Sequence, residues 1–353
     1  MTQNKMSEKK IRSPIDRIMI RGTNWVGDAV MTLPAIEAVR RIFPQSRITV
    51  LAKPWVLSVY EGHPAVDDVI PYERANGFAS GITGIKRTVA RVRREKFDLA
   101  ILLQNAFEAA FVAFMGRIPC RIGYSTDCRG ILLTHPARKN RRILRVHQVE
   151  YYLNILRMMG WAAETADPHL YVSKEDREKG VKILESHDLT GDDYIVGLSP
   201  GAIYGSAKRW PAERFSEIGD RACERWGART VVLGTAKEAS ICEEVCRAMS
   251  NNAINLCAET SLREAMGVIE RCDFFVTNDS GLMHIAAALG VPTVAIFGPT
   301  DTVTTSPRGL RTRIVTRNAQ CAPCLKQECP TDHHCMLSIT PDEVWEAMEG
   351  LRG

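Results

Sequence analysis

Residues 21–29, Arg-Gly-Thr-Asn-Trp-Val-Gly-Asp-Ala, set two glycines at the spacing of a phosphate-binding loop. Asp28 and Ala29 stand where such a loop needs Lys and Ser or Thr, so an ATPase-type loop is excluded. A carboxylate repels phosphate but accepts a proton from a hydroxyl. Asp28 is therefore either a general base at a strand-to-helix turn or a cap on the helix that follows. A second stretch opens with Ser199-Pro-Gly-Ala202 and runs through Tyr204-Gly-Ser-Ala-Lys-Arg-Trp-Pro211. Its small residues, Ser206 among them, let backbone approach a ligand, and Lys208 is either a point charge for a diphosphate or a solvated lysine. The third stretch, Phe274 to His284, passes from a buried strand through Asn278-Asp-Ser-Gly281 into an Ala-rich helix. Helix N-termini attract anions, so Asp279, Ser280 and Gly281 read as an anion-binding turn or as plain capping. His284, one turn in, reads as a further anion contact or as a core histidine. Glu238, after Gly234-Thr-Ala-Lys237, can bond a ribose or sugar hydroxyl, or serve as a first-turn acid.

Metal chemistry has one candidate locus. Cys321-x2-Cys324-x4-Cys329-x5-Cys335, with His333 and His334 close by, suits a structural zinc site or a set of unligated thiols. No two aspartates stand two apart, so the D-x-D clamp that many nucleotide-sugar enzymes place on a diphosphate is missing. Charge neutralisation then falls to Lys208 and the helix N-terminus, and no cofactor is required.

Short apolar runs alternating with amphipathic segments must position these residues, which is the pattern of βα units around parallel sheets. Strands are expected at 17–21, 48–52, 68–72 and 99–103, then at 194–199, 229–234, 254–257, 274–277 and 293–297. Helices are expected at 82–95, 173–187, 212–226, 237–249, 261–271 and 282–289. Ile82, Ile85, Val89 and Val92 share one helical face, and Lys86, Arg87, Arg91, Arg93 and Arg94 lie largely elsewhere. Thr190-Gly-Asp-Asp193 has the composition of a linker. Two wound α/β domains, 1–178 and 190–353, are expected across a cleft, the second ending in the cysteine-rich tail and a C-terminal helix. Ligands in such sheets sit beyond the carboxyl ends of the strands.

With 353 residues, 45% hydrophobic and 25% charged, the chain has globular composition and enough length for two cores. No apolar segment follows the basic Met1–Lys10, so a cytoplasmic protein is expected. The net charge of +5 favours acidic partners, without an accompanying nucleic-acid motif.

Gly22 to Asp28, Ser199 to Ala202 with Ala207 to Pro211, and Asn278 to His284 followed by Phe297-Gly-Pro-Thr300 resemble the ADP-heptose:lipopolysaccharide heptosyltransferases over nearly the whole chain. The resemblance implies a GT-B fold of two Rossmann-like domains, an N-terminal acceptor domain and a C-terminal nucleotide-sugar domain. It implies inverting transfer of L-glycero-D-manno-heptose from ADP-heptose to a heptose of the lipopolysaccharide inner core. Asp28 matches the family's base, Lys208 its phosphate-binding lysine, and Asp279, Ser280, Gly281 and His284 its ADP-binding turn. Ser206 and Glu238 fall on the donor side, and Asn24, Trp25, Arg138, Arg141 and Arg142 on the acceptor side. The basic run 138–145 is expected to meet acidic groups of the acceptor or the cytoplasmic face of the inner membrane. The rivals are another GT-B transferase or an epimerase with a different donor, an NAD-dependent dehydrogenase, and a non-catalytic membrane or nucleic-acid binder. The dehydrogenase needs a G-x-G-x-x-G turn that this chain lacks.

Overall fold

The computed structural model describes residues 14–73 and 78–352; the basic Met1–Lys10 stretch lies outside them, as does the side chain of Ile82. Two six-stranded sheets carry the chain, with every recorded strand pairing parallel. The first holds β1 (Arg17–Arg21), β2 (Arg47–Ala52), β3 (Asp68–Pro71), β4 (Leu99–Leu102), β5 (Cys120–Tyr124) and β6 (His135–Ala137), in the order β3-β2-β1-β4-β5-β6. The second holds β7 (Ile195–Ser199), β8 (Arg229–Val232), β9 (Ala253–Asn255), β10 (Phe274–Asn278), β11 (Thr293–Phe297) and β12 (Thr312–Thr316), in the order β12-β11-β10-β7-β8-β9. Interior strands β4, β7, β10 and β11 are buried along their length, as sheets covered on both faces require.

Helices α1 (Val26–Ile42), α2 (Phe78–Glu95), α3 (Phe107–Met115) and α4 (Gln148–Arg157) lie in the first half of the chain. They are followed by α5 (Lys174–Glu185), α6 (Ala212–Trp226), α7 (Ala239–Ala248), α8 (Leu262–Arg271) and α9 (Gly281–Ala288), then by α10 (Thr302–Thr305), α11 (His334–Leu337) and α12 (Pro341–Arg352). Helix α6 shows how pattern becomes packing. Phe215, Ile218 and Ala222 recur at helical spacing and are buried, and Gly227 closes the helix in the left-handed region at φ 64°. They join Val196, Leu198, Phe274 and Val276 in the core of the second sheet.

The chain forms two compact units. The first comprises residues up to Asn24, Thr32–Leu144 and Val149–Thr165; the second comprises Trp25–Met31, Arg145–Gln148 and Ala166–Gly353. The sequence places the division between 178 and 190, whereas the continuous stretch of the second unit begins at Ala166. The difference has a local cause. Ser173 caps α5 by accepting a bond from Asp176 N–H (3.1 Å), and Asp176 in turn accepts from Arg263 of α8 (3.0 Å to Nε). Gly180 meets Gly267 backbone to backbone, so α5 and α8 are packed together within one unit. Thr190–Asp193 is a tight helix-to-strand turn closed by Thr190 N–H on Asp193 Oδ2 (2.6 Å), and its composition cannot be told from that of a linker.

The order of the second sheet reverses between β7 and β10, whose registers set Thr277 beside Ser199. Chains turning away from that point leave a crevice at the strands' carboxyl ends. The loops after β7 and β10 are those that carry Lys208 and Asp279.

Candidate active site

Asn278, at the end of β10, fastens the loop after β7. Its amide donates to Pro200 O (2.7 Å) and its Oδ1 accepts from Trp210 N–H (3.1 Å), while the Trp210 indole donates to Ile339 O (3.0 Å). Within this fastened loop a single 3₁₀ turn, Ser206–Lys208, presents the lysine. Lys208 Nζ donates to Asp279 Oδ2 at 2.6 Å and lies 4.8 Å from the Tyr204 ring centroid. Asp279 Oδ2 also accepts from Thr300 Oγ1 at 2.7 Å. The expected anion-binding role of Asp279 is thereby redirected: its carboxylate, buried and negative, orients the ammonium, and its own N–H is spent on Ile296 O (3.2 Å). Ser206 is exposed on the same turn.

Ser280 is the N-cap of α9, but its side chain does not cap. The hydroxyl turns to Thr277 Oγ1 at 3.2 Å, which leaves the first-turn N–H groups of α9 without a side-chain acceptor. An uncapped helix N-terminus beside a held lysine is a site for a phosphate. His284, one turn along, is buried, and desolvation first, with the nearby His147 and Lys208 charges, lowers its pKa to about 4 despite Asp279. It is therefore a neutral imidazole at pH 7 and offers a hydrogen bond rather than a positive charge.

The first turn of α1 belongs to this same unit. A Cβ on Gly27 would lie 2.6 Å from His284 Cδ2, so that position favours the bare backbone, and one on Gly281 would lie 3.1 Å from Val26 Cβ, a tight approach of the two turns. Asp28 follows at once. It is half-buried, and among the described residues its carboxylate has no hydrogen-bond partner, so it does not cap α1. Desolvation, reinforced by Asp279 and opposed by Lys208, raises its pKa from 3.8 to about 6. A carboxylate poised there is ionised at pH 7 yet basic enough to take a proton.

The other expected residues are distributed as follows. Glu238 is buried, and its Oε2 closes a capping box with Thr235 (2.9 Å from N–H, 2.8 Å from Oγ1), the first-turn role rather than an open sugar contact. Asn24 in the first unit accepts from Arg21 Nη2 at 3.1 Å, and its carbonyl accepts from the Trp55 indole at 2.9 Å, so its side chain serves the loop. Trp25 is 58% exposed, an unusual state for a tryptophan and one open to a ligand. Arg138, Arg141 and Arg142 are exposed, whereas Lys139 lies 4.9 Å from the Tyr151 ring centroid, where desolvation lowers its pKa. Cys321, Cys324, Cys329 and Cys335 are free thiols, with Cys335 buried. Among the described residues no three His, Cys, Asp or Glu side chains gather as a metal site.

The model of glycosyltransferase family 9 (heptosyltransferase) matches residues 85–334, well over half of the chain. The chain belongs to glycosyltransferase family 9. It is 31% identical over 345 residues to lipopolysaccharide heptosyltransferase 2 of Salmonella typhimurium, covering 95% of this chain and 98% of that protein. Among solved structures it superimposes on the ADP-heptose lipopolysaccharide heptosyltransferase II of Escherichia coli with a TM-score of 0.82, at 28% identity over 95% of this chain and 98% of that one. A family 9 glycosyltransferase from Veillonella parvula gives a TM-score of 0.85 at 25% identity, covering 95% and 97%. The fold is GT-B, as the resemblance implied. In this family 9 enzyme three residues support the site without having been singled out in the sequence for these contacts. Thr300 and Tyr204 flank the Lys208–Asp279 pair and Asn278 welds two loops. Only Asn278 carries a local signal, a polar residue ending a wholly buried strand.

Proposed function

We propose that this glycosyltransferase moves L-glycero-D-manno-heptose from ADP-heptose onto a heptose of the lipopolysaccharide inner core by one displacement that inverts the anomeric centre. The observation that carries the reading is Asp28: half-buried, unbonded and basic, in the same unit as Lys208 and the open end of α9. The acceptor hydroxyl oxygen attacks the anomeric carbon as the bond to the diphosphate oxygen breaks. Its proton passes to Asp28, and the electron pair of the broken bond leaves with ADP. Lys208, oriented by Asp279, and the N–H groups of α9 take up the charge that grows on the diphosphate, where preorganised donors act most strongly. Ser206, Ser280, Gly281 and neutral His284 complete the donor contacts. Glu238 keeps a lesser part, through Gly201: a Cβ there would fall 2.2 Å from Glu238 Oε1, so the carboxylate lines the loop that approaches the nucleotide.

The exposed Arg138, Arg141 and Arg142 of the first unit meet the acceptor's acidic groups or the anionic surface that carries it, and exposed Trp25 of the second unit offers a ring face to the acceptor sugar. This suits work at the cytoplasmic face of the inner membrane by a protein in which no helix of the described residues is long and apolar enough to span a bilayer. Mass spectrometry and NMR of the product made from ADP-heptose and heptose-primed core lipid test the reading, the first for the added mass and the second for the anomeric configuration. One added heptose with an inverted anomeric centre is expected. Turnover with another nucleotide sugar, and none with ADP-heptose, would move the enzyme to a different donor.

A further inference from the structure

The cysteine-rich segment does not touch the reaction as proposed, yet it holds the residues that do. The 3₁₀ turn Ser206–Lys208 is three residues long, too short to fix its own orientation. Ala207 N–H donates to Gln327 O at 3.0 Å, and Ala207 C=O accepts from His333 Nε2 at 2.7 Å. That carbonyl belongs to the peptide joining Ala207 to Lys208, so the histidine sets the plane from which the lysine side chain departs. Gly205 lies so close that a Cβ there would fall 2.1 Å from Gln327 O. Tyr204, whose ring faces the ammonium, donates its hydroxyl to Leu325 O at 2.7 Å. Leu325 N–H in turn bonds Pro299 O at 2.9 Å, one residue before Thr300, the hydroxyl donor to Asp279. The far end is anchored as Cys335 and Met336 pack under Gly298, where a Cβ would lie 3.0 Å from the thiol sulfur. One segment thus reaches both members of the Lys208–Asp279 pair.

We infer that the segment Cys324–Cys335 is a clamp that aims Lys208 at the leaving diphosphate, with His333 as its positioning residue. This rests on the reading of Lys208 given above. Small displacements of a group that acts in the transition state cost rate rather than ground-state binding. Loss of the His333 bond therefore lowers kcat and leaves donor KM and ADP affinity nearly unchanged.

The test uses the full chain with ADP-heptose and heptose-primed core lipid. His333 has φ 57°, a conformation asparagine tolerates well, so His333→Asn keeps the backbone while its amide is one bond too short to reach Ala207. Glutamine places an N–H at the reach of Nε2. His333→Asn is expected to lower kcat about tenfold or more, with KM and ADP Kd within about twofold, and His333→Gln to restore most of the rate. In a Lys208→Ala background His333→Asn should cost nothing further, because the group it aims is gone. Full kcat in His333→Asn, failure of His333→Gln to restore the rate, or a loss that adds to that of Lys208→Ala would overturn the clamp while leaving the transfer reaction standing. Undiminished kcat in Lys208→Ala itself would remove the underlying reading and the clamp with it.

Discussion

In the proposed reaction Asp28 and Lys208 divide the chemistry between a proton and a developing negative charge, and each division has its own signature. Asp28→Asn should lower transfer by about 10²–10⁴ with ADP affinity preserved, the usual worth of a general base. Wild-type kcat/KM should fall on the acid side of about pH 6 as Asp28 is protonated. That limb should vanish in Asp28→Asn and persist in His284→Gln, because the imidazole titrates near pH 4. Stability carries the opposite sign. The folded state holds the Asp28 proton up to about pH 6 and the unfolded chain only to 3.8, so wild type should lose stability relative to Asp28→Asn as pH rises through that interval. Thermal melts of both proteins across pH 4 to about 7 read this directly. Lys208→Ala should lower turnover by more than it weakens ADP binding, measured by steady-state kinetics against calorimetry. Residue type alone exposed Asp28, since an acid where a phosphate loop needs a lysine is anomalous in any context. It did not expose the role of Asp279. Whether an acid after a strand faces an anion or a lysine depends on a loop some seventy positions away, which local sequence does not encode.

The elements were legible where a segment is buried on both faces or amphipathic, and less so elsewhere. Strands β1, β7, β10 and β11 and helices α6 and α8 lie within a residue of their expected bounds, because their apolar residues recur with an unambiguous period. Strands β5, β6 and β12 had no such signal. β5 carries Arg121 and Gly123, β6 is a three-residue edge strand around Pro136, and β12 is an edge strand with exposed Arg313 and Ile314. The assignment of α5 turned on Gly180 and Gly267, whose contact is a long-range fact. Gly180→Ala would put a methyl 2.4 Å from Gly267 C, against backbone that cannot yield as a side chain does. Overpacking of this kind costs about 1–3 kcal/mol, so a lowered melting midpoint with near-normal kcat at moderate temperature is expected.

For the molecule as a whole, the mild positive charge is spent unevenly. Arg138, Arg141 and Arg142 stand exposed, while Lys139 is turned onto tyrosine rings. Replacing the three arginines with glutamine should weaken use of the anionic acceptor and flatten its salt dependence, with ADP affinity spared in the same preparations. Metal analysis of protein purified without chelators decides between a structural zinc at Cys321, Cys324, Cys329 and Cys335 and unligated thiols: about one zinc per chain supports the metal, and a content well below one leaves free thiols. Discontinuity of the second unit has a further consequence, for the order in which the enzyme is made. Trp25–Met31 emerges early from the ribosome, but its partners His284 and Gly281 lie at the start of α9, far toward the C-terminus. Contacts of such sequence separation close late. The turn bearing Asp28 must therefore wait, through most of synthesis, for the helix end it packs against, so competence for transfer should appear only after the first sheet has folded and α9 has been made.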